Sequence, residues 1–315
     1  MGFGDIALGC EQLGGSDWGD YDLSGPREAV RCALDLGVTV FDTADVYGLG
    51  QGEEELSKAL GSHRHDVTVI TKGGVRWSES GHRSRARTWR DSSAKYLSSA
   101  IDASLRRLRL DVIPLYLVHW PDMNTTLDET LDCLAMARDS GKVRHYGLSN
   151  FSASLVKSAL HLGGISAVET ELNLLSRSDE IIELRNHKDA GLETLSYGVL
   201  AQGLLTGKYF AESSFGTKDR RHRLEHFRPE AFVRNEPVYN ALRDIALETG
   251  RTQAQVAIRW VLESGAVSCA ILGAKSPKQL ESNLDIKDWR LDEDMLGLLR
   301  AAREKMESDQ EVQKS

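Results

Sequence analysis

Asp42, Tyr47, Lys72 and His119 each stand at or just beyond the end of a short apolar run, and together they supply a carboxylate, a phenol, an ammonium and an imidazole. A free phenol, with a pKa near ~10, neither gives nor takes a proton readily at neutral pH. An ammonium beside it favours the phenolate and lowers that pKa. Asp42 would keep Lys72 charged and oriented, because a buried, unpaired lysine tends to lose its proton. His119 would hydrogen-bond a substrate oxygen or share in proton transfer. If the four converge they form a general acid aimed at a carbonyl oxygen. None of them is an electron source or an obvious nucleophile, so a hydride would have to come from a cofactor.

The elements that must bring these groups together are legible as short apolar runs at 6–9, 38–41, 67–70, 114–118, 144–148, 167–170, 192–196 and 268–272. Each is rich in branched residues and most follow a glycine-containing turn, as strands of a parallel sheet do. Helical patterns fill most intervals. Residues 93–109 set Leu97, Ala100, Ile101, Ser104, Leu105 and Leu108 on one face. Thr252 and Gln255 have capping-box spacing ahead of another helix, and Gly141 stands where a glycine should close the helix over 127–140. Strand then helix, about eight times over, predicts a parallel (β/α)8 TIM barrel, with a doubly wound sheet as its rival. We expect one barrel domain over 1–315, a long loop at about 207–237 with a basic cluster at 218–223, and a charged C-terminal helix or tail. The residues beyond successive strands are Gly9, Asp42, Lys72, His119, Ser149 with Asn150, Glu169 with Glu171, Tyr197, and Gly273 with Lys275. In a barrel those strand ends share one face, where active sites lie.

Composition narrows the function. A formal net charge of −8 argues against nucleic acid or an acidic membrane surface as partner. No run approaches the ~20 apolar residues of a membrane span. The opening MGFGDIALGC lacks a basic flank and a long apolar run, so no signal peptide is expected and the chain reads as cytoplasmic. Cys10, Cys32, Cys133 and Cys269 are far apart, which suits reduced thiols and neither a disulfide frame nor a metal site. Gly48, Gly50 and Gly52 faintly resemble a dinucleotide-binding glycine loop, but Glu53, Glu54 and Glu55 follow at once and would repel a pyrophosphate.

The segments VFDTADVYG, ITKGG, LYLVHWPD, YGLSN, LSYGVLAQGLLTGKY and ILGAKSPKQLESN, in that order, resemble the aldo-keto reductase superfamily from about residue 6 to residue 283. The resemblance implies a (β/α)8 barrel that binds NADPH in an extended pose without a Rossmann fold. It implies a tetrad of Asp42, Tyr47, Lys72 and His119, with Tyr47 the proton donor to a small-molecule carbonyl substrate. It further implies Ser149 and Asn150 at the nicotinamide carboxamide and Tyr197 stacked on the ring. Gly198, Leu200, Gln202, Gly203 and Lys208 would line the pyrophosphate, with Gly273, Lys275, Gln279 and Asn283 at the adenosine end. Lys275 suits a 2′-phosphate, which favours NADPH over NADH. Three residues depart from the family pattern: Glu169 replaces a glutamine that grips the nicotinamide amide, Gln279 an arginine, and Ser282 a glutamate. The hairpin that plugs the barrel bottom in many members is expected to be short or absent.

Trp18, Trp77 and Trp120 fall in loops on the active face and are expected to wall the substrate pocket. Arg76, Arg83, Arg85, Arg87 and Arg90, with the cluster at 218–223, would attract a phosphorylated or acidic substrate unless they simply form solvated loops. Besides a carbonyl reductase, two readings compete: a nicotinamide-sensing regulatory subunit of the same fold, and a Schiff-base aldolase using Lys72. Asp42 beside Lys72 weighs against the aldolase.

Overall fold

The computed structural model describes residues 3–78 and 86–312. Ten strands are present among them: β1 (Ile6–Gly9), β2 (Val40–Asp42), β3 (Thr68–Gly73), β4 (Val75–Trp77), β5 (Thr88–Arg90), β6 (Ile113–Val118), β7 (Val143–Ser149), β8 (Ala167–Glu171), β9 (Glu193–Tyr197) and β10 (Cys269–Gly273). Eight close into a parallel barrel in the order β1-β10-β9-β8-β7-β6-β3-β2. Pairing of β1 with both β2 and β10 closes the ring and excludes the doubly wound alternative. The eight apolar runs fall on these eight strands. The antiparallel hairpin β4–β5 is additional and stands off the barrel. Its residues are half-exposed and arginine-rich, so no hydrophobic run announced it.

Ten α-helices among the described residues surround the strands. The first five are α1 (Ser24–Asp35), α2 (Gln51–Leu60), α3 (Ala94–Leu108), α4 (Leu127–Asp139) and α5 (Ala153–Leu162). The others are α6 (Ser178–Asp189), α7 (Pro229–Thr249), α8 (Gln253–Glu263), α9 (Pro277–Leu284) and α10 (Glu293–Val312). Local signals set several boundaries. Ser93 caps α3 by accepting from the Tyr96 backbone, Thr252 and Gln255 form the capping box of α8, and Gly141 follows α4 at φ +77°. The long loop ends earlier than expected, because α7 begins at Pro229 and carries Pro237 inside it. A proline suits the first helical turn, where its missing N–H costs nothing. The C-terminal segment is anchored: Leu299 and Met306 are fully buried, and Arg303 donates to the Leu174 and Ser176 carbonyls.

Alternate residues of each strand face the barrel interior. Ala7, Val40, Ile70, Leu115, Leu117, Ala167, Leu195, Cys269 and Ile271 form one buried cluster there, with Phe3 packed against it. Two residues further along the strands from Ala7, Val40, Ile70, Leu117, Ala167, Leu195 and Ile271 stand Gly9, Asp42, Lys72, His119, Glu169, Tyr197 and Gly273. The apolar layer is therefore the floor beneath the polar one, and strand parity alone aims the chemistry inward. Gly147 of β7 lies so near β8 that a Cβ there would run into the Ala167 carbonyl oxygen. Backbone cannot yield as a side-chain tip can, so Gly147→Ala should destabilise the protein by about 3 kcal/mol. Urea unfolding measures this; an unchanged midpoint would mean that the barrel wall relaxes at that point.

Candidate active site

Lys72 lies inside β3 and Asp42 ends the adjoining β2. The Lys72 ammonium donates to Asp42 Oδ1 at 2.5 Å and to the Thr43 carbonyl at 3.2 Å, while Glu169 Oε1, from β8, stands 3.2 Å from the same nitrogen. All three side chains are buried. Burial pulls the Lys72 pKa down, but the two carboxylates more than offset this and hold it above its ordinary value. Burial pushes Asp42 up, with Lys72 opposing. Glu169, buried and facing the Asp42 charge, is pushed up to about 8. Two carboxyls thus compete for one ammonium, and both are held above their ordinary values while the lysine keeps its charge. A charged lysine held in this way has no free amine lone pair, which removes the basis of the aldolase reading.

Tyr47 sits on the turn after β2. The turn is held by Tyr47 N–H donating to the Ala44 carbonyl at 3.2 Å and Gly52 N–H donating to the Tyr47 carbonyl at 2.9 Å. Gly48, at φ +58°, packs directly on the Gly14 backbone, and a side chain there would collide with it. The Lys72 ammonium is 5.8 Å from the Tyr47 ring centroid, and the His119 ring meets the Tyr47 ring edge-on at 5.8 Å. The expected lowering of the phenol pKa by Lys72 does not occur. Burial, with Glu11, Asp42, Glu169 and Tyr197 around it, drives Tyr47 well above the usual phenol value. Asp42 and the proton-sharing Glu169 absorb the lysine's charge, so Tyr47 keeps its proton. His119 is neutral, pulled well below the ordinary imidazole value by burial, Lys72 and Arg220.

These groups open into a cleft of about 1130 Å³. Of the predicted site residues, Trp18, Asp42, Tyr47, His119, Trp120, Asn150, Glu169 and Tyr197 line it. Gly198, Leu200, Gln202, Gly203, Lys208, Gly273, Lys275, Gln279 and Asn283 line its long arm. Lys72 and Ser149 lie beneath the surface, fully buried. Ser149 Oγ accepts from the Asn150 amide at 3.0 Å. Asn150 adopts φ +62°, which asparagine tolerates, and also donates to the His119 carbonyl while accepting from Tyr197 OH at 2.7 Å. This fixes the Tyr197 ring at the cleft wall. Trp77 is not among the lining residues, contrary to expectation. Trp89, across the β4–β5 hairpin, is there instead with Arg90, which stacks over Trp120 at 5.1 Å.

The residues fit an extended dinucleotide. Gly9 and Gly273 pair across β1 and β10 and put no side chain into the cleft at that point, and Gln202 and Gly203 are held left-handed along the arm. Buried Gln12 Oε1 and Trp18 Nε1 lack protein partners, leaving polar capacity for a bound group. At the arm's far end, Lys275 donates to the Trp18 carbonyl at 2.9 Å.

The basic cluster has a different role from the one expected. Arg220 pairs with Glu11, Arg221 with Asp219, Arg223 with Asp17 and Lys218 with Asp20. With the Trp18–Asp219 bridge, the pairs to Glu11, Asp17 and Asp20 strap the loop after β9 to the loop after β1 across the cleft, while Arg221–Asp219 braces the former loop internally. Arg76 pairs with Asp91, and Arg83 and Arg85 lie outside the described residues. The charge of the 218–223 cluster is thus largely neutralised, whereas Arg90 stands at the cleft wall, held by Trp120 and the Pro121 carbonyl. Glu11 escaped the sequence reading, since it does not follow a strand directly, and Arg220 was read only as part of the basic cluster because its partner is far away in the chain.

The aldo/keto reductase family model matches residues 5–304. The aldo-keto reductase YhdN of Bacillus subtilis is 34% identical over 289 residues, covering 91% of this chain and 86% of that protein. The aldo-keto reductase yakc [NADP(+)] of Schizosaccharomyces pombe is 28% identical, covering 94% and 87%. Among solved structures, a glycerol dehydrogenase from Gluconobacter oxydans superposes with a TM-score of 0.86 at 31% identity, covering 95% of this chain and 91% of that one. The chain belongs to the aldo/keto reductase family. No helix among the described residues is long and apolar enough to cross a membrane.

The raised Glu169 pKa has a thermodynamic consequence. In the folded protein Glu169 keeps a proton that the unfolded chain releases near pH 4.5. Its contribution is therefore complete below that pH and is lost as pH rises toward about 8, with a slope of about 1 kcal/mol per pH unit. Glu169→Gln should remove this slope, so variant-minus-wild-type stability from urea unfolding should climb between pH 5 and 8. Parallel curves would show that Glu169 is ionised throughout.

Proposed function

We propose that this member of the aldo/keto reductase family is an NADPH-dependent reductase of small aldehydes, ketones or open-chain sugars, with Tyr47 as the proton donor. The observation that carries this reading is a protonated phenol beside a neutral imidazole, both lining a cleft with Asp42 and backed by a buried Lys72. A bound dinucleotide supplies the hydride. Tyr47 and His119 direct hydrogen bonds at the carbonyl oxygen, which polarises the carbon toward hydride. Tyr47 then gives its proton to the developing alkoxide, and the Lys72 ammonium stabilises the charge left on the phenol ring. Burial of Lys72 makes that stabilisation stronger than water would allow.

Lys275 at the arm's end, and a relative named for NADP(+), support NADPH over NADH. The solved relative named a glycerol dehydrogenase supports a small polyol or hydroxy-carbonyl substrate, running in either direction. Trp18, Trp120 and, in place of Trp77, Trp89 supply apolar walls for it. The paired arginines of the 218–223 cluster give no reason to require a phosphate on the substrate, while Arg90 beside Trp120 leaves a cation at the cleft wall for an acidic one.

Absorbance loss of NADPH with a panel of small aldehydes is the direct test, run beside NADH. Tyr47→Phe should lower kcat by about 10²–10³-fold while the NADPH dissociation constant stays within about twofold. Near-normal turnover in that variant would remove Tyr47 from the proton step. Binding of NADPH without turnover of any carbonyl would favour the nicotinamide-sensing alternative. Lys275→Met should weaken NADPH roughly tenfold and leave NADH unchanged; an equal effect on both would place the lysine away from the 2′-phosphate.

A further inference from the structure

Glu169 is the member of the buried trio that acid–base catalysis by Tyr47 does not require. It lines the cleft, yet its carboxyl is buried, with Oε1 3.2 Å from Lys72 and a hydrogen bond shared with the Asp42 carboxyl. The groups acting on it come from every side: Asp42 on β2, Lys72 on β3, Tyr47 on the turn after β2, Tyr197 on β9 and Cys269 on β10. Lys72 is the one cation among them, and Asp42 already claims it at 2.5 Å. A full negative charge on Glu169 is therefore poorly compensated until a second positive charge arrives.

The proposed reaction brings such a charge. A hydride donor must lie against the carbonyl carbon whose oxygen meets Tyr47 and His119, and those residues share the cleft with Glu169. The nicotinamide ring is neutral when reduced and cationic when oxidised. Resting on the reductase reading above, we infer that Glu169 is a proton-coupled sensor of the cofactor's redox state, carrying a proton beside the reduced ring and releasing it beside the oxidised one.

The bookkeeping closes over a turnover. Reduction leaves a hydride on the carbonyl carbon, the Tyr47 proton on its oxygen, a cationic ring and a phenolate at Tyr47. The Glu169 proton passes by way of the Asp42–Lys72 pair to that phenolate, so the negative charge moves from Tyr47 to Glu169 and faces the cation. Glu169 is reprotonated from solvent when the oxidised dinucleotide leaves. Direct carboxylate–ring attraction favours the oxidised form, and the proton ties that preference to pH. A glutamine at 169 offers hydrogen bonds but no such linkage. The upward shift of the carboxyl to about 8 puts the transition in an accessible range.

Equilibrium titration of wild type and Glu169→Gln with NADP+ and with NADPH, from pH 6 to 9, tests this without turnover. The ratio of the two dissociation constants cancels the titration of the 2′-phosphate, which both nucleotides carry. In wild type, NADP+ should gain on NADPH by up to about tenfold per pH unit below the Glu169 transition and level off above it. In Glu169→Gln the ratio should be flat. A group that merely braced the fold would change both affinities together and leave the ratio alone. A flat ratio in wild type, or a slope that persists in the variant, overturns the inference while leaving the reductase reading intact. If neither nucleotide binds, both readings fall. Should the variant not fold, proton uptake or release on mixing wild type with each nucleotide in weakly buffered indicator decides: release of about one proton near pH 7 with NADP+ alone supports the inference, and equal release with both overturns it.

Discussion

A lysine ammonium inside a barrel must be paired or it loses its charge, and the whole upper half of this molecule answers that requirement. Transfer of an unpaired ion from water to a protein interior costs several kcal/mol even after relaxation. Lys72 is fully buried and meets Asp42, Glu169 and the Thr43 carbonyl. Those partners come from β2, β8 and the turn after β2, so they exist only once the barrel has closed. Closure, charge and catalytic geometry are one constraint. The apolar layer from Ala7 to Ile271 excludes water from below and makes the pairing strong.

The same constraint decides how protons are shared. Two carboxyls facing one ammonium cannot both ionise cheaply, and Glu169 yields because Asp42 lies closer to the lysine. Lys72 is left with little net field to exert on Tyr47, and the phenol stays protonated. Neutralising the lysine's charge thus leaves the phenol its proton, the state from which the proposed donor would start.

Over the cleft the physics is different. The strap between the loops after β1 and β9 is built from ion pairs such as Lys218–Asp20 and Arg223–Asp17, which are more than half exposed. Exposed pairs of this kind are worth about 0–1 kcal/mol each and weaken with salt. Arg221, packed against Trp18, Tyr209 and Phe215, supplies the less solvated contact. A buried floor beneath a weakly latched cover would suit the proposed entry and release of a dinucleotide.

Much of this was determined by the sequence. Eight short apolar runs with an inward parity specify the barrel strands, and that parity carries from Val40 to Asp42, from Ile70 to Lys72 and from Leu117 to His119. The helix caps at Ser93 and Thr252 are equally local, because they are made by neighbouring residues. The β4–β5 hairpin and the start of α7 at Pro229 were not legible, since exposed or proline-bearing segments leave no hydrophobic period. Nor could a linear pattern choose Trp89 over Trp77, as both sit on one hairpin and only its placement decides which meets the cleft. The tertiary structure alone decided the protonation states and the strap. A pKa is set by every charge within a few ångströms, and Glu169 reaches Lys72, and Arg220 reaches Glu11, across distances in the chain that no local pattern spans.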